Sequence, residues 1–305
     1  DAVAEANRCL YCHDAPCITA CPTGIDIPTF IRKISTGNVK GSARTILSAN
    51  LLGYSCARVC PVEALCVGAC VYNEWHRNPP ISIGRLQRFA VETALSDGSA
   101  KGLLSKAKPN GKKVACIGAG PASLACAGYL ALEGCEVTLY EKREMPGGLN
   151  VTGVAPYKMN AESAMTEVEF IRSLGVTIKT GVEIGKDIAP AKLVDDHDAV
   201  FVGVGLGADS KLGIPGEDGA GVFGGVEWVE KMKLESGYSL EGVRRAVVIG
   251  GGNTAIDVAR EAVMLWNTEV TAGNTAIDVA RQATMMGASE VLMLYRRGEA
   301  EMPAF

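Results

Sequence analysis

Positive charge is scarce in this sequence: 30 Lys and Arg are outnumbered by 34 Asp and Glu, for a net charge of −4. A polyanion partner needs a basic face, so nucleic acid is excluded as the expected ligand. Charge of either sign is thin as well, at 21% of residues against 48% hydrophobic, which excludes disorder and leaves enough apolar surface for a sizeable core. Histidine occurs three times, at His13, His76 and His197. No acid–base triad can be assembled from these with any convincing pattern. No basic, apolar, small-residue leader precedes the first cysteine, so secretion is not expected and a cytoplasmic location is. A membrane span is also lacking. Residues 114–132 run for nineteen positions without a charge, but Gly118, Gly120 and Pro121 break them into strand, turn and helix, whereas a span needs one continuous helix.

Strand signals are almost absent before about residue 108, where apolar residues recur at helical spacing, as in Ile83, Leu86, Phe89, Ala90 and Leu95. The same stretch concentrates cysteine: eight of the eleven lie between Cys9 and Cys70. Their order is Cys9-x2-Cys12-x4-Cys17-x3-Cys21-Pro22, then Cys56-x3-Cys60-Pro61-x4-Cys66-x3-Cys70. Thiolates are soft, strongly donating ligands, and such spacing lets one loop wrap three corners of an iron–sulfur cubane while a distant cysteine closes the fourth. Eight cysteines suffice for two clusters. Zinc is the rival, although four-cysteine zinc sites usually show two Cys-x2-Cys pairs and only Cys9 and Cys12 form one here. A disulfide scaffold would need an oxidising compartment. Cys116, Cys126 and Cys135, standing apart, read as buried and inert.

Residues 96–113 turn polar and rich in helix breakers, which places a domain boundary near Asn110. Beyond it, β-branched runs at 114–117, 137–140, 176–179, 199–204, 246–249 and 291–295 alternate with helical segments, the pattern of parallel sheets with crossover helices. The first run leads into Gly118-Ala119-Gly120-Pro121-Ala122-Ser123, and Glu141 ends the next strand about twenty residues on. Gly118 permits the tight turn, Gly120 lets backbone approach a pyrophosphate, the helix amino terminus supplies free amides, and Glu141 accepts from a ribose hydroxyl. Ser123 stands where a third glycine normally allows close helix packing. The run at 246–249 leads into a second turn, Gly250-Gly251-Gly252-Asn253-Thr254-Ala255. Two such turns imply two dinucleotides. The strand at 291–295 ends in Arg296-Arg297 rather than an acid, which suits the extra phosphate of NADP(H) over NAD(H); a solvated basic pair is the alternative. The string GNTAIDVAR occurs at 252–260 and again at 273–281. It reads as a local tandem duplication, with the copy that forms the turn left open.

The segments EANRCLYCHDAPCITACP, GYSCARVCPVEALCVGAC and PPISIGRLQRFAVE resemble the amino-terminal cluster domain of dihydropyrimidine dehydrogenase, to which the small subunit of glutamate synthase is closely related. The resemblance implies two interleaved 4Fe-4S clusters, one held by Cys9, Cys12, Cys17 and Cys70, the other by Cys21, Cys60, Cys66 and Gln87, leaving Cys56 spare. It implies FAD at the first turn, through Gly118, Gly120, Pro121, Ala122, Ser123 and Glu141, with Gly148 and Leu149 as part of a flavin-family glycine pair and Lys158 where relatives carry an arginine near the flavin. Gly250, Gly252, Asn253, Thr254, Arg296 and Arg297 would then bind NADP(H), with NAD(H) as the alternative. The implied fold is an α-helical two-cluster iron–sulfur domain (1–110), then α/β Rossmann-like domains for FAD (111–242) and NAD(P)H (243–305), glutathione-reductase-like and incomplete at the carboxyl end. The implied activity passes hydride from NADPH to FAD and single electrons through the clusters to a partner subunit, either an FMN barrel or a glutamate synthase large subunit. A non-enzymatic cluster-bearing redox scaffold is the competing class. If Arg296-Arg297 reads the extra phosphate, Arg297→Glu weakens NADPH binding by at least about tenfold, ~1.4 kcal/mol, and NADH far less. Equal weakening of both, in parallel equilibrium titrations, would make the pair structural.

Overall fold

Two helix starts in the first hundred residues are set by local caps. Asp26 accepts from Thr29 N–H at 3.1 Å and Asn38 from Gly41 N–H at 2.9 Å, satisfying first-turn amides that have no intrahelical partner. The computed structural model describes residues 1–75, 79–239, 245–250, 252–266 and 269–272. Its first part is helical: α1 (Ala2–Asn7), α2 (Pro16–Thr19), α3 (Ile27–Ser35), α4 (Val39–Ala49), α5 (Gly53–Val59), α6 (Tyr72–Trp75) and α7 (Ile83–Ser96). In α3 the residues Ile27, Phe30, Ile31 and Ile34 recur at helical spacing and are all buried. The buried face of α7 is Ile83, Leu86, Gln87, Ala90, Val91 and Ala94. Phe89, placed in the apolar stripe by sequence, is 38% exposed, and the polar Gln87 takes a place in the core instead.

A parallel sheet follows, from β1 (Lys113–Ile117), α8 (Pro121–Leu132), β2 (Glu136–Tyr140), α9 (Leu149–Thr152), α10 (Ala161–Ser173), β3 (Thr177–Lys179), α11 (Pro190–Asp196) and β4 (Ala199–Val202). The strand order is β3-β2-β1-β4, with Val114 opposite Val137 on one side and Ala199 on the other. This order puts the carboxyl end of β1 at the centre of the sheet, where an open α/β sheet binds its ligand. A second parallel pair joins β5 (Arg245–Val248) to β6 (Glu269–Ala272) across α13 (Asn253–Trp266), with α12 (Gly225–Leu234) before it. The first GNTAIDVAR copy therefore opens the helix of a strand–turn–helix–strand unit. The second copy and the strand expected at 291–295 lie outside the described residues.

Two compact units result, one of Asp1–Asn150 with Glu162–Gly205, the other of Val151–Ala161 with the chain from Leu206 onward. The helical block and the four-stranded sheet belong to the same unit and share one core, in which Phe30, Leu47 and Leu86 join Cys116, Leu124 and Leu139. Among the described residues, no helix is long and apolar enough to cross a membrane.

The space that a third glycine would provide is supplied from the opposite side of the contact. Ser123 is fully buried on α8, its hydroxyl has no hydrogen-bond partner, and a Cβ on Gly203, just past β4, would collide with Ser123 Oγ. Gly203→Ala is expected to destabilise the protein by about 1–3 kcal/mol through overpacking, measured by denaturant unfolding. Ser123→Gly in the same chain should recover part of that loss, and an unchanged midpoint for Gly203→Ala would rule the contact out as a constraint.

Candidate cluster and dinucleotide sites

All eleven cysteines are free thiols, and the eight in the helical block fall into two neighbourhoods. Cys9, Cys12, Cys17 and Cys70 line one pocket whose other walls include Ala15, Ile27, Ile31, Ile81 and Ile83. Tyr11, between the first two, has φ of 51° and is the sole non-glycine residue with positive φ among the described residues. That conformation costs on the order of 1 kcal/mol or more, and it is held by the Tyr11 hydroxyl, which reaches Ala6 O at 3.2 Å and Ser35 Oγ at 3.1 Å. Burial, with Cys9 and Cys70 alongside, pushes the Cys17 thiol up to about 12. The Cys9 thiol is raised for the same reason, by burial first and then by Cys12 and Cys70.

The second neighbourhood joins Cys21, Cys56, Cys60, Cys66 and Gln87. Burial and the nearby Cys21 push the Cys66 thiol up to about 11. The Cys60 thiol is raised by its hydrogen bond to Cys56, then by burial and by Cys66 and Cys21. Cys56 is lowered, as the recipient of that bond and of others from Gln87 and Asn50. Gln87 Nε2 also donates to Gly53 O at 3.0 Å.

Burial and neighbouring thiols keep Cys9, Cys17 and Cys66 neutral, and Cys60 stays neutral as the partner that hydrogen-bonds to Cys56. A cationic centre reverses that balance, because metal binding drives off the protons. Among the described residues, no three His, Cys, Asp or Glu converge closely enough to hold a single metal ion. A cubane takes one thiolate per iron, which lets its sulfur ligands stand farther apart, and the donor set here, thiols plus one amide, is of that kind.

The first glycine turn has the geometry of a nucleotide cradle. Gly118 sits at φ +89°, and a Cβ there would stand 2.6 Å from Gly203 O. Gly120 is the extended residue before α8, with Pro121 at the first helical position, Ala122 next to it and nothing within 4 Å of where a Gly120 Cβ would be. Gly147 N donates to Ala119 O at 2.9 Å, and Gly148, at φ +54°, lies so close that its Cβ would be 2.7 Å from Gly120 Cα. The glycine pair is thus seated directly on the glycine turn. Leu149 follows, half exposed, at the start of α9. Glu141 is 7% exposed. Its Oε2 accepts from Ala119 N–H at 2.7 Å and its Oε1 from Arg143 N–H at 3.0 Å, so the carboxylate also holds the turn in shape.

In the second unit, Gly250 has φ of +136°, Gly252 precedes α13, and Asn253 and Thr254 are the first helical residues. Gly251, Arg296 and Arg297 lie outside the described residues. Asp257 and Glu261, one turn apart on α13, grip the segment that carries Lys158. Lys158 Nζ meets Asp257 Oδ1 at 2.7 Å, Tyr157 Oη donates to the same oxygen at 2.6 Å, and Tyr157 N donates to Glu261 Oε1 at 2.9 Å. Lys158 is therefore engaged by a carboxylate of the second glycine-turn helix.

Residues 112–305 match the family described as pyridine nucleotide-disulphide oxidoreductase. The chain belongs to that family. Residues 1–99 match dihydropyrimidine dehydrogenase domain II, 4Fe-4S cluster, so an iron–sulfur domain precedes the oxidoreductase fold. The chain is 39% identical over 273 residues to the NAD-dependent dihydropyrimidine dehydrogenase subunit PreT of Escherichia coli K12, covering 88% of this chain and 64% of that protein. It is 33% identical over 312 residues to the glutamate synthase (NADPH) small chain of the same strain, covering 99% of this chain and 61% of the other. It spans less than two thirds of the length of these curated relatives. A solved structure of 2-naphthoyl-CoA reductase shares the fold at a TM-score of 0.50 and 21% identity, over 90% of this chain and 38% of that one.

Within this pyridine nucleotide-disulphide oxidoreductase, two features escaped the sequence motifs. The pairing of Lys158 with Asp257 joins residues 99 apart, with no spacing rule to find it. Cys56, spare by resemblance, stands within hydrogen-bonding reach of both Cys60 and Gln87. The two candidates for the fourth corner separate by substitution: Gln87→Ala should remove about four irons per chain and Cys56→Ala none, read by iron and sulfide analysis. Loss of iron with Cys56→Ala alone would transfer the role to the thiol.

Proposed function

We propose that this chain is the electron-input part of a two-component reductase. It takes hydride from NADPH onto FAD and passes electrons singly through two 4Fe-4S clusters to a partner subunit, a dihydropyrimidine-dehydrogenase-type FMN barrel. The observation that carries this reading is that two distinct sulfur neighbourhoods and the first glycine turn occupy one compact unit. Bound FAD would accept an electron pair as hydride and release it singly, the form in which iron–sulfur clusters carry charge.

The chain's own residues bind and orient. Gly118 and Gly120 open the turn to a pyrophosphate, and the amino terminus of α8 presents amides to it. Glu141 fixes the turn through Ala119 N–H and would accept from the ribose of bound FAD, while Gly148 keeps the cradle free of side chain. The reading keeps Pro121, Ala122, Ser123, Leu149 and Lys158 with FAD, and Gly250, Gly252, Asn253, Thr254, Arg296 and Arg297 with the nicotinamide nucleotide. Cys9, Cys12, Cys17 and Cys70 hold one cluster, and Cys21, Cys60, Cys66 and Gln87 the other. The division at 1–110, 111–242 and 243–305 and a cytoplasmic location belong to the same reading. The names of the two relatives divide over the nucleotide, one being NAD-dependent and the other specifying NADPH; Arg296-Arg297 favours NADPH here. A glutamate synthase large subunit is the second candidate partner, supported by similarity over 99% of this chain.

Anaerobic mixing with NADPH should bleach the flavin absorbance and then the cluster absorbance, faster than with NADH. A flavin left oxidised by both would leave a redox scaffold and remove the enzyme. Gly148→Ala should lower the FAD retained on purification by about tenfold or more while leaving the iron content unchanged.

A further inference from the structure

The least expected polar residue in the first unit is Glu167, on α10, which is 2% exposed although nothing in the sequence marks it. Its neighbours on the helix, Ala164, Val168, Phe170 and Ile171, are buried as well, so the carboxyl is carried into the core with them. There Oε1 accepts from Tyr54 N–H and from Ser55 N–H, each at 3.1 Å. Those amides belong to the first turn of α5, whose own N-cap position is Leu52 and supplies no side-chain cap. Glu167 thus caps α5 from 113 residues away. Burial pushes the carboxyl up to about 7, against the pull of the two amides.

A cap of this kind is costly. Ser, Thr, Asp or Asn beside a helix start does the same work half in water, whereas a buried carboxyl loses hydration that two amide bonds only partly replace. What the cost secures is a position. Helix α5 carries Cys56 and runs directly into Cys60, its C-cap residue. The carbonyl of Gly53, in the same first turn, accepts from Gln87 Nε2 at 3.0 Å. The turn capped by Glu167 is therefore also the one that seats Gln87, and the helix beyond it aims Cys60. Cys9, Cys12, Cys17 and Cys70 lie off this helix.

We propose that Glu167 is the positioning residue of the second cluster, setting α5 from a crossover helix of the dinucleotide-binding sheet so that Cys60 and Gln87 meet their cluster. The inference rests on the cluster reading above. Loss of the cap loosens one sulfur neighbourhood and spares the other.

The test uses the full chain purified anaerobically as wild type, Glu167→Ala, Glu167→Gln and Glu167→Met, with iron, sulfide and FAD content, low-temperature EPR of the reduced protein and a redox titration of each cluster signal. Glu167→Ala is expected to fall from about eight irons to about four, losing one EPR signal while keeping FAD and the other signal. Glu167→Gln keeps a carbonyl acceptor for both amides and should hold near wild-type iron, with both cluster signals and potentials rescued. Full iron with wild-type spectra and potentials in Glu167→Ala overturns the proposal. If that variant does not fold, full iron and unchanged potentials for both clusters in Glu167→Met, which keeps the volume but cannot accept from the two amides, overturn it. A wild-type protein without iron would instead overturn the cluster reading together with it.

Discussion

Eight thiols packed into one small helical block cannot all ionise beside one another in a protein interior, and the amino-terminal fold is arranged around that constraint. Short helices with frequent breaks bring cysteines from distant points into two neighbourhoods, and Tyr11 accepts a left-handed backbone to turn the chain between Cys9 and Cys12. Burial and mutual crowding hold Cys9, Cys17 and Cys66 neutral, and a hydrogen bond to Cys56, then burial, does the same for Cys60. Only a positive centre turns such a cluster from a liability into a binding site, which is why the thiol geometry argues for a resident group rather than for inert core sulfur.

The dinucleotide turn obeys a constraint of a different kind, the removal of side chains. Gly118, Gly148 and Gly203 each stand where a Cβ would meet backbone or a buried neighbour, so three segments close on one point at the end of β1. Glu141 then ties the turn down by accepting from Ala119 N–H. Because the helical block and this sheet share a core, the cysteine neighbourhoods and the turn are held in one unit.

Much of this was legible in the sequence because it is local. Cysteine spacing, the strand–glycine–helix pattern and the acidic residue at the end of β2 are all short-range signals, and the strands near 114, 137, 176 and 199 formed where the β-branched runs stand. What escaped was long-range or relocated. The missing third glycine reappears as Gly203, some eighty positions beyond Ser123, and the cap of α5 comes from Glu167. Phe89, expected in the apolar stripe of α7, is exposed while Gln87 is buried on that helix, since helical spacing alone does not say which polar residue a core will admit. The duplicated GNTAIDVAR string illustrates the same limit, for its two copies are identical and only pairing of β5 with β6 distinguishes the first as the opening of a crossover helix.

Clusters held by these cysteines on a flavoprotein would contain iron and acid-labile sulfide in equal number. The most direct measurement is the content of iron, acid-labile sulfide, zinc and flavin in the anaerobically purified full-length protein. About eight irons and eight sulfides with one FAD per chain are predicted; zinc without sulfide or flavin would contradict the account and make the cysteine block structural.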